Sequence, residues 1–177
     1  MEKDSYYVER CLDGHPDDFR YLVRRYQPVL LAHLAGRLGS RDRAEEVAQE
    51  ALVRAYFNMN KLKAPQKFLS WLLGIGERVA KEQQRADSVR RQRELVRAST
   101  AEALKPELSP DYGLEAAVAG LPEPYRQVIL LRYYGTLSCA GIADQLDMPL
   151  GTVTKTLSRA YALLRDAMQQ RQEANEV

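Results

Sequence analysis

A break of three residues at positions 147–149, between two short helical patterns, restricts the fold of this chain more than any other feature of the sequence. On both sides of the break the apolar residues recur at about 100° per residue, which is the spacing of one face of an amphipathic helix. Pro149 suits the first turn of the second helix, where its missing N–H costs nothing. Two amphipathic helices joined by so short a turn share one small core, as in a helix-turn-helix. The apolar residues are Ile142, Ala143 and Leu146 before the break, and Val153, Leu157, Ala160 and Leu164 after it.

The outer face of the second helix carries short hydroxyls and cations, which suit phosphates and base edges. In a helix-turn-helix this helix lies in the major groove of duplex DNA. A plain helical hairpin with a solvent-exposed face shows the same polarity, so the periodicity alone leaves both interpretations open. Ser138 is predicted to cap the first helix, with Leu137 packing over its start. The outward residues of the second helix are Thr152, Thr154, Lys155, Thr156, Ser158 and Arg159.

Helical periodicity continues over most of the chain, and no segment alternates apolar and polar residues as a half-buried strand does. Residues 86–113 lose the periodicity and contain Pro106 and Pro110, which indicates a linker. With 177 residues and 45% hydrophobic content, the chain is large enough for two small cores. The sequence therefore predicts an all-α protein with two small helical domains, residues 1–85 and 114–177, joined by that linker.

Several function classes are not indicated by the sequence. The longest apolar runs fall far short of the roughly 20 residues of a membrane-spanning helix, and the charged N-terminus has no apolar signal segment. We therefore expect no membrane insertion, and a cytoplasmic location. Cys11, Cys139, His15 and His33 have no partners at metal-ligand spacing, so neither a metal site nor a cofactor is expected. The sequence has no Gly-rich phosphate loop and no nucleophile triad, so an enzyme is not expected.

The segment DRAEEVAQEALVRAYFNM, residues 42–59, predicts a helix with a continuous small apolar face. Asp42 and Glu45 are spaced as a capping box at its start. An ordinary solvent-exposed helix also has a polar outer face, so this pattern alone does not indicate a binding surface. The inward residues are Ala44, Val47, Ala48, Ala51, Leu52 and Ala55, and the outward residues are Arg43, Glu46, Gln49, Glu50 and Arg54.

The next segment, NMNKLKAPQKFLSWLLGIGERVAKEQQR, interleaves cations with aromatic residues. Unpaired nucleic acid needs positive charge for its phosphates and flat surfaces for its bases. The alternative is that the apolar residues belong to the core, which we expect for Phe68 and Leu72 but not for one face of Trp71. Residues 78–97 add seven basic and three acidic side chains, either as a phosphate-facing flank or as a solvated helix and linker. The cations around the preceding loop are Lys61, Lys63 and Lys67.

Together these segments resemble a bacterial sigma factor of the extracytoplasmic-function (ECF) group. The resemblance rests on RAEEVAQEALVRAY and FLSWLLGIG in the first domain and on LPEPYRQVILLRYYGTLSCAGIADQLDMPLGTVTKTLSRAYALLR in the second, in the family's order. It covers nearly the whole chain. It implies region 2 and region 4 domains, and a role as the dissociable subunit that directs core RNA polymerase to promoters without catalytic residues. It also implies an anti-sigma factor as a partner.

The resemblance assigns roles to three sets of residues. The first set docks on the clamp helices of the polymerase's largest subunit, while region 4 meets the polymerase flap. The second captures the non-template strand of the −10 element and helps to melt it, and the third recognises the duplex −35 element. The docking residues are Glu45, Glu46, Gln49, Glu50 and Arg54; the −10 residues are Asn60, Lys61, Lys63, Lys67, Trp71, Arg78 and Lys81; the −35 residues are Gly151, Thr152, Thr154, Lys155, Ser158 and Arg159.

The chain departs from the family pattern at several positions. Gly141 stands where an acidic residue usually completes a capping box, at a cost of about 1 kcal/mol. The recognition helix has fewer cations than is common in the family, so a weaker affinity for duplex DNA is expected. Arg78 stands where members often carry Asn, and Leu73 and Gly74 where they often carry aromatic or basic residues. Recognition of the −10 base is therefore expected to be unusual.

Two other functions remain compatible with the sequence. A stand-alone helix-turn-helix regulator binds duplex operators by itself, usually as a symmetric dimer, although no dimerisation element is evident here. A degenerate member of the family keeps the docking helix but acts only as an interaction or sequestering protein. Binding to core polymerase separates the first alternative from sigma function, and run-off transcription separates the second.

Overall fold

The computed structural model describes residues 2–97 and 113–175, and within them every regular element is helical. This confirms the all-α class that the periodicity predicted. Short 3-10 turns at Pro16–Asp18, Met59–Lys61 and Pro65–Lys67 connect helices of the first half. The α-helices are α1 (Asp4–Leu12), α2 (Phe19–Leu38), α3 (Arg41–Phe57), α4 (Phe68–Arg97), α5 (Gly113–Gly120), α6 (Glu123–Tyr133), α7 (Cys139–Leu146) and α8 (Leu150–Asn175).

The first half is a bundle of α2, α3 and α4, with α1 packed against α2. Large side chains of α2 and α4 fill its centre, and Tyr26, Phe68 and Leu72 are all 0% exposed. The core positions predicted for Phe68 and Leu72 are thus confirmed. Each large apolar side chain that is fully buried contributes about 1.5–3 kcal/mol to stability. All the predicted inward residues of α3 are buried as well: Ala44, Val47, Ala48, Ala51, Leu52 and Ala55.

The boundary between α2 and α3 depends on two residues with special backbone or side-chain roles. Gly39 ends α2 in a left-handed conformation at φ 63°. Ser40 then caps α3, because its hydroxyl accepts from the backbone N–H of Arg43 at 3.4 Å. The predicted capping box of Asp42 and Glu45 is wrong, since the helix begins one residue before Asp42. Glu45 instead forms an i, i+4 ion pair with the first residue of α3.

Helix α4 extends to Arg97, so the linker predicted from residue 86 begins later than expected. Residues 86–97 contain no Gly or Pro and consist mostly of good helix formers, which sustain a helix without an apolar face. An ion pair of 2.5 Å between Arg43 and Asp87 also ties this extension to α3. Residues 86–92 are mostly exposed, so the loss of periodicity does not mark the end of the helix. The rest of the predicted linker, residues 98–112, lies outside the described residues.

Helices α5 to α8 form the second half, in which α7 and α8 are the predicted helix-turn-helix. Ile142 and Val153, one from each helix, are both 0% exposed. The Ser138 hydroxyl accepts from the Gly141 N–H at 3.0 Å, which confirms the predicted cap of α7. Asp147 turns the chain between the helices in a left-handed conformation, φ 51°, which Asp tolerates better than most residues. The two-helix pattern derived from the sequence is therefore confirmed.

The two halves pack directly against each other, chiefly through α2 and α5. At their close approach, a Cβ atom added to Gly36 of α2 would stand 2.0 Å from the carbonyl oxygen of Glu115 in α5. Any side chain at this position would therefore push α5 away. Helix α2 continues through Gly36 to Leu38. The missing side chain makes room for the second half.

A buried carboxylate links the helix-turn-helix to the first half. Asp4 of α1 is 1% exposed and accepts from Arg25 and from the Tyr26 hydroxyl, each at 2.5 Å. The Gln145 amide of α7 donates to the same carboxylate at 2.5 Å. Burial raises the pKa of the Asp4 carboxyl, while the Tyr26 and Arg25 donors favour its charged form and oppose that shift. These side chains satisfy one another's hydrogen bonds away from water. Removal of one of them therefore leaves a buried polar partner without its hydrogen bond.

Two further buried polar groups lie along the same boundary. The Gln127 amide of α6 donates to the Ser70 hydroxyl of α4 at 2.8 Å. His33 of α2 is 0% exposed, and its Nε2 atom lies 3.2 Å from the Glu77 carboxylate. Burial lowers the pKa of His33 to about 4, and the positive charge of Arg126 acts in the same direction. The His33 imidazole is therefore neutral near pH 7.

Candidate nucleic-acid interface

The outward side of α3 is an exposed acidic face, defined here as Glu45, Glu46, Gln49 and Glu50. Arg54, which the sequence grouped with these residues, turns toward α4 instead. Glu50 holds its guanidinium at 2.7 Å and Glu82 of α4 holds it at 2.6 Å. These two hydrogen bonds raise the pKa of Arg54. Arg54 therefore links Glu50 of the acidic face to Glu82 of α4.

Two exposed apolar residues continue the acidic face and were not singled out from the sequence. Val53 is 50% exposed and Phe57 is 73% exposed. Val53 lies three residues after Glu50 and Phe57 lies four residues after Val53, so both continue the same side of α3. The signal was available in the sequence, because both residues fall outside the inward stripe. Exposed apolar side chains at the edge of a polar surface are typical of protein interaction sites.

A groove between α3 and α4 brings together three residues that the sequence assigned to unpaired DNA, namely Lys61, Trp71 and Arg78. Trp71, Ile75 and Arg78 are spaced by four and three residues, so they form one row along α4. Trp71 is half-buried, and its ring packs on Phe68 with a centroid distance of 6.0 Å. The other residues that line this α3–α4 groove are Arg54, Asn58 and Glu82.

The α3–α4 groove combines an apolar wall with excess positive charge. Asn58 fixes the loop at its edge, because its Nδ2 atom donates to a carbonyl of α3 at 2.8 Å and its Oδ1 atom accepts from Lys61 at 2.6 Å. The Nε atom of Arg78 donates to the carbonyl one turn earlier at 3.3 Å, which places its guanidinium along α4. Three of the lining side chains are cations, against the single carboxylate of Glu82. The groove therefore favours an anion that also carries a flat apolar group.

Four of the predicted −10 residues are exposed but do not line the α3–α4 groove. They sit in the loop before α4 and one turn beyond Arg78. Asn58, Ile75 and Glu82 line the groove but were not predicted, although Ile75 and Glu82 each follow a predicted residue of the same helix, Trp71 and Arg78, by four positions. The four exposed residues are Asn60, Lys63, Lys67 and Lys81.

Helix α8 presents its six candidate −35 residues to solvent: Gly151, Thr152, Thr154, Lys155, Ser158 and Arg159. Lys155 and Arg159 are one turn apart on this outer face. The Thr154 hydroxyl donates to the Gly151 carbonyl at 3.0 Å. Thr156, which the sequence also placed on the outer face, is half-buried and donates to the Thr152 carbonyl at 2.8 Å.

Within residues 2–97 and 113–175, no group of three or more His, Cys, Asp or Glu side chains is placed to hold a metal ion. Over the same ranges, no helix has the length and apolar character needed to cross a membrane. Cys11 and Cys139 are half-buried free thiols, and burial raises the pKa of Cys11.

Comparisons with known proteins cover both halves of the chain. The family model of sigma-70 region 2 matches residues 22–93, and that of sigma-70 region 4 matches residues 113–164. The RNA polymerase sigma-H factor of Pseudomonas aeruginosa is 32% identical, over 96% of this chain and 95% of that protein. The ECF RNA polymerase sigma-E factor of Escherichia coli K12 is 30% identical, over 94% of each. The ECF RNA polymerase sigma factor SigW of Bacillus subtilis is 27% identical, over 89% of this chain and 92% of that protein.

Proposed function

The chain belongs to the ECF RNA polymerase sigma factors, which direct transcription initiation at promoters, and from this premise we propose how its own surfaces divide that task. The acidic face of α3 docks on core polymerase, the α3–α4 groove takes up unpaired DNA of the −10 element, and α8 recognises the duplex −35 element. The observation that carries the proposal is the meeting of Lys61, Trp71 and Arg78 in one groove beside the acidic face. The protein performs no catalytic step of its own and acts with polymerase in the cytoplasm.

The −10 assignment is supported by the chemistry of the α3–α4 groove. The half-buried Trp71 offers an aromatic surface on which an unpaired base can stack, and Lys61 and Arg78 offer charge for the adjoining phosphates. Duplex DNA keeps its bases stacked inside, so a groove of this kind gains its full binding energy only from separated strands. Binding there therefore favours the melted state of the promoter.

Replacing Trp71 with Ala is expected to destabilise open complexes by about 1–3 kcal/mol, which is the usual contribution of one base stacked on an aromatic side chain. Permanganate footprinting of the melted strand measures this effect. Leu69→Ala is the control, because Leu69 is buried in the same helix but does not line the groove. Footprints of a folded Trp71→Ala protein equal to wild type would remove the stacking role.

The −35 assignment is supported by the outer face of α8, where hydroxyls and two cations surround the exposed N-terminal turns. In a helix-turn-helix these turns approach base edges in the major groove. The planar guanidinium of Arg159 suits bidentate pairing with guanine O6 and N7. Lys155 carries a compact charge that suits a phosphate.

Arg159→Ala is expected to weaken binding to the native −35 element by about 1–3 kcal/mol and to remove discrimination at one base pair. Lys155→Ala is expected to lower affinity nearly equally on all sequences and to reduce the salt dependence. Titration of holoenzyme against −35 point variants at two salt concentrations measures both effects. Equal losses for the two variants on every sequence would show that Arg159 does not recognise a base.

Use of both promoter elements requires the two halves of the protein to separate. Elements centred about 25 base pairs apart are roughly 85 Å apart along B-DNA, at about 3.4 Å per base pair. A compact chain of this length has a radius of gyration of about 16 Å, so packed halves do not reach both elements. The contacts of Gly36 and of the Asp4–Gln145 pair therefore have to break when polymerase and promoter bind. An anti-sigma factor that holds the halves together would act on this same step.

Run-off transcription with purified core polymerase tests the proposed function directly. A sigma factor binds core polymerase and supports initiation only at promoters with matching −10 and −35 elements. A stand-alone regulator would instead bind duplex DNA without core polymerase, and an interaction protein would bind core polymerase without supporting transcription. Either of these results would overturn the proposal.

A further inference from the structure

Two exposed tyrosines of the second half form a pair that none of the assignments above uses. Tyr133 ends α6 and is 59% exposed, and Tyr161 of α8 is 41% exposed. Their hydroxyl oxygens are 3.2 Å apart, and their rings meet edge to face at 6.3 Å and 78°. Each ring limits the motion of the other, so two large side chains are held in place on a surface open to solvent.

Tyr161 lies at one edge of the exposed side of α8, close to Thr154 and Ser158 but about 120° around the helix axis from Lys155. At 100° per residue, Thr154, Ser158 and Tyr161 fall within about 60° of one another around the helix axis. Tyr161 is seven residues beyond Thr154, or about 10.5 Å along the axis at 1.5 Å per residue. The major groove is about 12 Å wide, so a helix with Thr154 near the base edges places Tyr161 close to the rim of the groove, where the phosphates lie.

The chemistry of the pair suits an anion. Whichever hydroxyl donates within the pair, the other retains its own proton for an outside acceptor. Arg132 precedes Tyr133 in the chain, and Arg165 stands one turn beyond Tyr161 on α8; both are exposed. The nearest kind of anion on a duplex held by α8 is a backbone phosphate.

We infer that the Tyr133–Tyr161 pair binds one backbone phosphate at the rim of the −35 major groove, where it positions α8 without selecting a base. This inference rests on the proposed role of α8. A phosphate contact orients a recognition helix but carries no sequence information of its own. The competing explanation is that the pair only joins α6 to α8.

The test uses Tyr161→Phe, Tyr133→Phe and the double variant in the full-length protein bound to core polymerase. Tyr6→Phe is the matched control, since Tyr6 is 45% exposed in the first half. Loss of a hydrogen bond to a charged group is expected to weaken promoter binding by about tenfold for Tyr161→Phe. The loss should be equal on all −35 point variants. The salt dependence should stay unchanged, because a hydroxyl releases no counterion.

Replacing single phosphates of the −35 duplex with neutral methylphosphonates identifies the contact. The wild-type protein is expected to lose affinity at one rim position, and Tyr161→Phe to lose nothing more there, which is the non-additivity of a direct contact. Phe variants that melt at lower temperature but bind like wild type, or losses that add at every phosphate, would overturn the inference. If scrambling the −35 element leaves wild-type binding unchanged, the proposed role of α8 fails first and this inference with it.

Discussion

Charge reversal at two positions of the acidic face, Glu46→Lys with Glu50→Lys, is expected to abolish holoenzyme formation while the fold persists. Both side chains are exposed on α3, and exposed charge changes usually alter stability by less than about 0.5 kcal/mol. The reversal removes the Glu50–Arg54 pair, but a surface ion pair of this kind contributes only about 0.3–0.5 kcal/mol. Co-purification with core polymerase measures binding, and thermal melting of the free protein measures stability.

The matched control for this reversal is Glu9→Lys in α1 with Asp13→Lys at the C-cap of that helix. These two acidic residues are also exposed and four residues apart, so the control changes the net charge by the same amount. It should bind core polymerase like wild type. Unchanged binding of the Glu46 and Glu50 variant would remove the docking assignment. Equal loss in both variants would show that net charge, and not the acidic face, is responsible.

Gly36→Ala is expected to separate the two halves of the protein. Ala is about 1 kcal/mol better than Gly inside a helix, so α2 itself should not be weakened. The added Cβ would nevertheless meet the Glu115 carbonyl oxygen at 2.0 Å, a distance that backbone atoms relieve only by moving. Small-angle X-ray scattering should show a radius of gyration above the value of about 16 Å for a compact chain. Because the halves have to separate on the promoter, the variant should still form holoenzyme.

Gly74→Ala is the matched control, since Gly74 is also helical and an added Cβ there meets nothing within 4 Å. It gains the same helix propensity without a clash and should scatter like wild type. If Gly36→Ala scattered like this control, α5 would have to adjust locally, and the packing of α2 on α5 would not depend on the missing side chain.

Much of the helical framework follows from local sequence. The inward stripe of α3 and the apolar positions of α7 and α8 were predicted residue by residue, because helical periodicity places such residues on one face whatever they pack against. The Ser138 cap of α7 was also predicted, because a cap involves only neighbours within one turn of the helix.

The errors in prediction have local causes as well. Residues 86–92 of α4 lack an apolar face because most of them are exposed, so periodicity failed there although helix propensity continues the helix. Asp42 and Ser40 are both good N-caps, and the actual start of α3 depends on where Gly39 ends α2.

By itself the sequence determined most of the helices, their buried faces and the exposed residues that are proposed for docking and DNA binding. Tertiary structure alone decided which of these meet. Asp4 and Gln145 are 141 residues apart in the chain, and Arg54 and Glu82 are 28 apart. Periodicity describes which side of a helix is buried but not its partner, because many apolar faces are interchangeable in composition. The partner is selected by shape and by paired polar groups, as at Gly36 against α5 and Asp4 against Gln145, and these exist only once the chain has folded.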